Sequence, residues 1–113
     1  MAYAGNDFYC DVALKDLSVL KIEYESDSVL AYYHTRPHWP VHIIVIPKKH
    51  IPSLTEYDND EDSKIILEII KVVQNIAKKV EKEFGGARVQ TNLGVYQESK
   101  HLHFHISYGE PLK

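Results

Sequence analysis

The sequence predicts an α+β fold with one long helix and a mainly antiparallel sheet. The first observation is helical periodicity over residues 60–84, where apolar side chains recur at three- and four-residue steps. The second is a set of short β-type segments both before and after that stretch, an order typical of α+β proteins. The third is size and composition: 113 residues with 44% apolar and 26% charged residues suit one domain, residues 1–113, with one core.

The N-terminal part of the chain predicts a β-hairpin. Residues 19–24 (VLKIEY) alternate in polarity well enough for a strand, and residues 28–33 (SVLAYY) form a second β-type run. Residues 25–27 (ESD) supply the turn between them. The mixture of apolar and acidic residues over 7–17 is interpreted as a short helix.

A loop and a third strand follow the hairpin. Prolines interrupt residues 34–40 (HTRPHWP) and prevent regular strand pairing there, so this segment is predicted to be a loop. Residues 41–46 (VHIIVI) are β-branched except for His42, which predicts a strand that Pro47 ends.

The helix predicted over residues 60–84 ends at Gly85, a residue that favours the C-terminal end of a helix. Its other side carries charged and amide residues and is interpreted as a solvated face. Residues 88–91 begin another strand, and residues 92–94 (NLG) turn the chain toward His101. The apolar stripe of the helix comprises Ile66, Ile69, Ile70, Val73, Ile76, Ala77, Val80 and Phe84.

Charge and composition narrow the functional classes. A formal net charge of -3, from 13 basic and 16 acidic residues, disfavours binding to a nucleic-acid polymer. Cys10 is the only cysteine, so no intramolecular disulfide can form, and it is interpreted as a small buried apolar residue. No signal-peptide pattern and no bilayer-spanning apolar stretch is visible, so a cytoplasmic location without membrane partners is expected.

The main functional feature is a row of three histidines, His101, His103 and His105, that alternate with apolar residues. Side chains on a strand point to opposite faces with a period of two, so a strand here places three imidazoles on one face. Because imidazole titrates near neutral pH, such a row suggests chemistry. The apolar residues of the alternation, which would pack into the core, are Leu102, Phe104 and Ile106.

Two kinds of chemistry suit this row. As metal ligands, neighbouring histidines on a strand lie roughly 6.6 Å apart at Cα and the outer pair roughly 13 Å, so two of them with His42 suit one ion better than all three. No cysteine or paired carboxylate at ligand spacing supports such a site. As a nucleophile, a neutral imidazole attacks phosphorus while an acceptor on its other nitrogen fixes the tautomer.

The remaining histidines also have structural interpretations. A single histidine on an apolar strand, such as His42, is usually a hydrogen-bonded core residue. His50 follows two lysines, which suggests a surface position or a supporting role. His38 and Trp39 are interpreted as loop packing.

The row resembles the signature of the histidine triad (HIT) superfamily, His-φ-His-φ-His-φ-φ with φ apolar. Residues 101–107 match it, with serine as a weak final φ. Residues 40–51 (PVHIIVIPKKHI) are similar to the family's other block, which carries a fourth histidine, here His42. Residues 92–97 supply the family's Asn-x-Gly and Gln. The resemblance covers about residues 7–109, and the Hint-like purine nucleoside phosphoramidases look most similar.

The resemblance implies a role for each of four histidines. His103 would be the nucleophile that takes a nucleotidyl group, and His105 would contact the phosphate. His101 and His42 would form the supporting network behind His103. The implied activity is hydrolysis of a nucleoside phosphoramidate, or a related nucleotidyl conjugate, at the α-phosphorus, with no cofactor and no metal.

The same resemblance implies a nucleotide site and a homodimer whose sheets join across the two-fold axis. Two positions depart from the family pattern: His34 stands where the family has a ribose-binding aspartate, and Glu98 stands where a serine usually follows the glutamine. The substrate implied is a small nucleotide, with purine favoured. Its phosphate and leaving-group side would be lined by Asn92, Tyr96, Gln97 and Glu98, and its ribose side by His34 and Thr35.

Two other hypotheses stay open. The chain is a non-catalytic nucleotide-binding or interaction protein on the same fold, a hypothesis motivated by His34 and Glu98. Alternatively, it binds a metal ion through His42 and two histidines of the row.

Overall fold

A five-stranded antiparallel sheet and one long helix form the fold of the computed structural model, which describes Tyr9 and residues 13–112. The elements are β1 (Ile22–Glu25), β2 (Val29–Tyr33), β3 (Val41–Pro47), α1 (Asp60–Phe84), β4 (Arg88–Gln90) and β5 (Phe104–Tyr108). The strand order is β1-β2-β3-β5-β4, and every neighbouring pair is antiparallel. The predicted α+β class and the hairpin of the first two strands are confirmed.

Helix α1 has the bounds that the sequence predicts because both of its ends carry local signals. Asn59 is the N-cap, and its Oδ1 accepts a hydrogen bond from the Asp62 backbone N–H at 2.8 Å. Gly85 adopts the left-handed conformation at φ +98°, and its N–H donates to the Glu81 carbonyl at 2.8 Å. No helix within the described residues is long and apolar enough to cross a membrane.

The sheet has one face against the helix and one face away from it. Ile43 and Val45 of β3 pack with the buried apolar residues of α1, whereas Ile70 and Phe84 of the predicted stripe are exposed. The alternate residues Ile44 and Ile46 pack with Tyr9 on the opposite face. His42 shares the parity of Ile44, so the strand directs it to the face away from the helix.

The first strand begins later than the sequence predicts. Leu17–Val19 form a 3-10 turn, because the Asp16 side chain caps it by accepting a hydrogen bond from the Ser18 N–H at 3.1 Å. Of the predicted N-terminal helix, Ala13–Lys15 form one 3-10 turn. Residues 7, 8 and 10–12 of that predicted helix, and with them the interpretation of Cys10, lie outside the described residues.

The histidine row is also not carried on one strand, since β5 begins only at Phe104. The backbone before it bonds to groups outside the sheet ladder: the Leu102 N–H donates to the Ile51 carbonyl at 2.7 Å, and the Thr91 hydroxyl donates to the His103 carbonyl at 2.7 Å. The prediction of three histidines on one strand is therefore wrong. The prediction that the intervening apolar residues enter the core is confirmed, with Leu102, Phe104 and Ile106 buried beside α1.

Candidate active site

Strands β3 and β5 bring two histidines into contact. The strands are neighbours, with Ile44 opposite His105 and His42 opposite Ser107, so His42 and His105 are diagonal partners on the face away from the helix. Their ring nitrogens, Nε2 of His42 and Nδ1 of His105, lie 2.8 Å apart. His42 is only 2% exposed, so water does not compete for this hydrogen bond.

The direction of the proton in this pair follows from a third group. The backbone N–H of His38 lies 3.0 Å from Nδ1 of His42, and a backbone N–H can only donate. Nδ1 of His42 is therefore the acceptor, and the ring proton is on Nε2, which donates to Nδ1 of His105. Neutral His105 consequently carries its own proton on Nε2. We call this series of groups, from the His38 N–H through His42 to His105, the relay.

His103 has the opposite tautomer. Its Nδ1–H donates to the His101 carbonyl at 2.8 Å, which leaves the lone pair of the neutral ring on Nε2. Its ring meets that of His105 edge-on, with centroids 5.0 Å apart. The Thr91 hydroxyl donates a hydrogen bond to the backbone carbonyl of His103. The site thus contains one ring with a lone pair on Nε2 beside another with a proton on Nε2.

His101 is buried behind this pair. Its Nε2–H donates to the Pro47 carbonyl at 2.7 Å, which anchors the ring at the end of β3. Its backbone carbonyl is the group that orients His103. The ring centroids of the exposed residue His50 and of Tyr9 lie 5.4 Å and 5.6 Å, respectively, from the centroid of the His101 ring.

Burial keeps the relay neutral. Desolvation, followed by the neighbouring histidines His34, His105 and His38, lowers the pKa of His42 to about 3. Burial, followed by His103 and His34, lowers the pKa of His105 to about 4. At neutral pH neither ring carries a charge, so their hydrogen-bond directions are set by tautomers.

His34 lies on top of the relay. Its ring stacks on His42, with centroids 4.4 Å apart and planes 26° from parallel, and its backbone N–H donates to the His42 carbonyl at 2.8 Å. The Arg36 N–H donates to its Nδ1 at 2.9 Å, so Nε2 carries the proton. Burial, followed by His38 and His103, lowers its pKa to about 4. A neutral ring here presents a hydrogen-bond donor.

The other residues of the predicted nucleotide site differ in exposure and in their hydrogen bonds. The side-chain oxygen Oδ1 of Asn92 accepts a hydrogen bond from the side-chain amide of Gln90 at 2.9 Å. Gln97 is 5% exposed and donates its amide to the Pro52 carbonyl at 2.6 Å, so that amide bonds to the protein backbone. Three side chains are exposed and make no hydrogen bond to another of the described residues: Thr35, Tyr96 and Glu98.

The loop before β3 has a role that the sequence does not predict. The interpretation of His38 and Trp39 as loop packing is incomplete, because the His38 N–H sets the tautomer of His42. Trp39 packs edge-on against the His42 ring, with centroids 4.9 Å apart. The sequence feature that could have indicated this role is the pair of prolines, Pro37 and Pro40, because they restrict the backbone just before the buried histidine.

Metal binding has less support from this geometry than nucleophilic chemistry. Both ring nitrogens of His42, which the metal hypothesis requires, are engaged by the His38 N–H and by His105. In Tyr9 and residues 13–112, no three histidine, cysteine or carboxylate side chains are arranged to hold an ion.

Comparison with known proteins agrees with the fold and the motif. The HIT domain model matches residues 19–111. An uncharacterized HIT-like protein of Borreliella burgdorferi is 35% identical over 101 residues, covering 87% of this chain and 71% of its own length.

Two solved structures are similar over almost the whole chain. A histidine triad protein from Clostridium difficile has a TM-score of 0.74 and 38% identity, covering 99% of this chain and 97% of that one. A HIT family hydrolase from Clostridium thermocellum has a TM-score of 0.75 and 31% identity, covering 96% and 94%. With the family model matching most of its length, the chain belongs to the HIT family.

Proposed function

We propose that this protein hydrolyses nucleoside phosphoramidates, or related nucleotidyl conjugates, at the α-phosphorus through a covalent nucleotide on His103. The observation that carries the proposal is the hydrogen bond from His103 Nδ1 to the His101 carbonyl, which leaves the lone pair on Nε2. A fixed tautomer is what a nucleophilic imidazole needs. The name of the Clostridium thermocellum neighbour, a HIT family hydrolase, supports hydrolysis.

In the first step, the lone pair on His103 Nε2 attacks the α-phosphorus. A P–Nε2 bond forms and the bond from phosphorus to the leaving amine breaks. The electron pair of that bond goes to the amine nitrogen, which takes up a proton from solvent water. The Nε2–H that the relay gives to His105 donates to a phosphoryl oxygen, where charge develops.

In the second step, water attacks the same phosphorus. Its oxygen forms the new P–O bond, the P–Nε2 bond breaks, and the electron pair returns to His103. The attacking water loses a proton to the solvent, which replaces the proton taken up by the amine, and a nucleoside monophosphate leaves. Splitting one displacement into two easier steps is the general advantage of a covalent intermediate.

The proposal extends to substrate contacts and assembly. A purine nucleotide would place its ribose beside His34 and Thr35 and its phosphate beside Asn92, with Tyr96, Gln97 and Glu98 on the leaving-group side. A homodimer is supported by the position of β4, which is an edge of the sheet and carries the half-exposed Val89. Pairing of two β4 edges would continue the sheet across both copies.

The test compares wild type with His103→Ala and His103→Asn on an adenosine phosphoramidate. Asparagine keeps a side-chain N–H for the His101 carbonyl but has no group equivalent to Nε2, so it separates the nucleophile from the local structure. We expect both variants to lose at least about a thousandfold in kcat. Mass spectrometry of the quenched wild-type reaction should find a nucleotide on His103.

Equal rates in wild type and both variants would reject the proposal. Nucleotide binding without turnover across a panel of phosphoramidates and nucleotidyl esters would instead favour a non-catalytic binding protein. In that case no adduct on His103 would be found.

A further inference from the structure

His38 is held from both sides of its peptide backbone. Its N–H donates to Nδ1 of His42 at 3.0 Å, and its carbonyl accepts a hydrogen bond from the Leu112 N–H at 2.7 Å. Leu112 lies beyond the last strand, so the C-terminal segment bonds directly to the residue that sets the tautomer of His42. A displacement of this segment would displace the donor.

The C-terminal segment and the loop before β3 also approach each other closely at Gly109 and Pro40. Gly109 has φ +101°, and a Cβ at this position would lie 2.7 Å from Cγ and 2.8 Å from Cδ of the Pro40 ring. Real Cβ atoms do not approach other atoms so closely. Only glycine therefore allows the chain after β5 to lie against the loop at this distance.

Arg88 joins these segments from the edge strand. Its guanidinium donates to the Ser107 hydroxyl at 3.2 Å and to the Gly109 carbonyl at 2.5 Å. The same group lies over the Trp39 ring, 5.3 Å from its centroid, and Trp39 packs against His42. One planar group thus contacts both the C-terminal segment and the loop.

We propose that Arg88 and residues 109–112, here named the brace, position the His38 amide and thereby set the proton that His105 presents to a ligand. Among the described residues, and apart from the pairing of β4 with β5, the hydrogen bonds that the brace makes outside itself go to the Ser107 hydroxyl and the His38 carbonyl, and the Arg88 guanidinium lies over Trp39. Arg88 and Gly109 are positioning residues, and they act through the His38 N–H. Their kinetic effect rests on the proposed function, whereas their effect on the His42 tautomer does not.

The test is Gly109→Ala with Gly85→Ala as its matched control. Both glycines have nearly the same positive φ, +101° and +98°, but a Cβ on Gly85 meets nothing within 4 Å. Both variants therefore carry the same backbone strain, and only Gly109→Ala displaces Pro40. The first readout is the ¹⁵N spectrum of the His42 imidazole, which distinguishes the Nε2–H tautomer from the Nδ1–H tautomer.

We expect Gly109→Ala to lose the pure Nε2–H pattern of His42, while Gly85→Ala keeps it. With an adenosine phosphoramidate, we expect Gly109→Ala to lower kcat about tenfold and to change KM by less than about twofold. Such a split is expected of a positioning effect, since substrate binding is left intact. The same His42 spectrum and the same kcat in the two glycine variants would overturn the proposal.

A second pair of variants keeps the test decisive if Gly109→Ala does not fold. Arg88 is exposed, so Arg88→Gln leaves the core intact while it removes the guanidinium from Gly109, Ser107 and Trp39. Arg88→Lys retains the charge over Trp39 and should restore part of the wild-type pattern. An unchanged His42 spectrum in Arg88→Gln would overturn the proposal that the brace positions the His38 amide. The spectrum does not depend on catalysis, so it decides the question even if the wild-type protein shows no turnover.

Discussion

At the scale of single residues, the three histidines of the row have identical side chains but different hydrogen-bond partners. His101 donates from Nε2 to a carbonyl, His103 donates from Nδ1 to a carbonyl, and His105 accepts at Nδ1 from another imidazole. Each partner selects one tautomer of the same side chain. The result is one ring suited to attack and one suited to donate, within a single short segment.

The hydrogen-bonding capacity of His34 leads to a prediction about how the protein discriminates ribose from 2′-deoxyribose. Its neutral ring offers one donor, Nε2–H, whereas a carboxylate can accept both hydroxyls of a ribose. We expect His34→Asp to raise the preference for ribonucleoside over 2′-deoxyribonucleoside phosphoramidates, measured as a ratio of kcat/KM, about tenfold.

His34→Asn is the matched control for that prediction. The amide has the shape of aspartate but lacks its charge and its second acceptor oxygen, so it should leave the ratio near the wild-type value. If aspartate and asparagine give the same ratio, His34 does not face the ribose.

At the scale of elements, local signals explain which boundaries the sequence could predict. Helix α1 was predicted to the residue because periodicity, Asn59 and Gly85 all act within a few residues. The observed start of β1, at Ile22, is later than the predicted one because the Asp16 side chain caps a 3-10 turn at residues 17–19. The start of β5 was misplaced because the bonds that divert the chain come from Ile51 and Thr91, which are distant in sequence.

The N-cap of α1 provides a stability prediction. Asn59→Ala removes the acceptor for the Asp62 N–H and should lower the free energy of unfolding by about 1 kcal/mol. Asn75→Ala, on the exposed face of the same helix, is the control and should be neutral or slightly stabilising, because alanine has the higher helix propensity. Urea denaturation of both variants measures the difference, and equal destabilisation would contradict a capping role.

At the scale of the whole molecule, the histidine cluster predicts how stability depends on pH. The pKa values of His34, His42 and His105 are lowered to about 4, 3 and 4 in the folded state. Below pH 6.5 the unfolded chain therefore binds more protons than the folded one. Stability is full above that pH and is lost as the pH falls toward 4, at up to about 1.4 kcal/mol per pH unit for each histidine.

Urea denaturation between pH 7 and pH 4.5 measures this loss. The carboxylates with lowered pKa values, Asp16 and Asp62, titrate below 3.8 and so contribute little in that range. His34→Asn removes one of the three titrating rings and should reduce the slope. A stability that does not change between pH 7 and pH 4.5 would contradict the buried neutral cluster.

The sequence by itself determined the fold class, the bounds of the long helix, the row of histidines and the fourth histidine on β3. These features depend on periodicity, capping and motif spacing, which act over a few residues. Only the tertiary structure decided which nitrogen of each ring carries the proton. His101 is anchored by Pro47, 54 residues away, and the His38 donor is held by the C-terminal segment. Tautomers follow from hydrogen-bond partners, and here folding brings those partners together from distant parts of the chain.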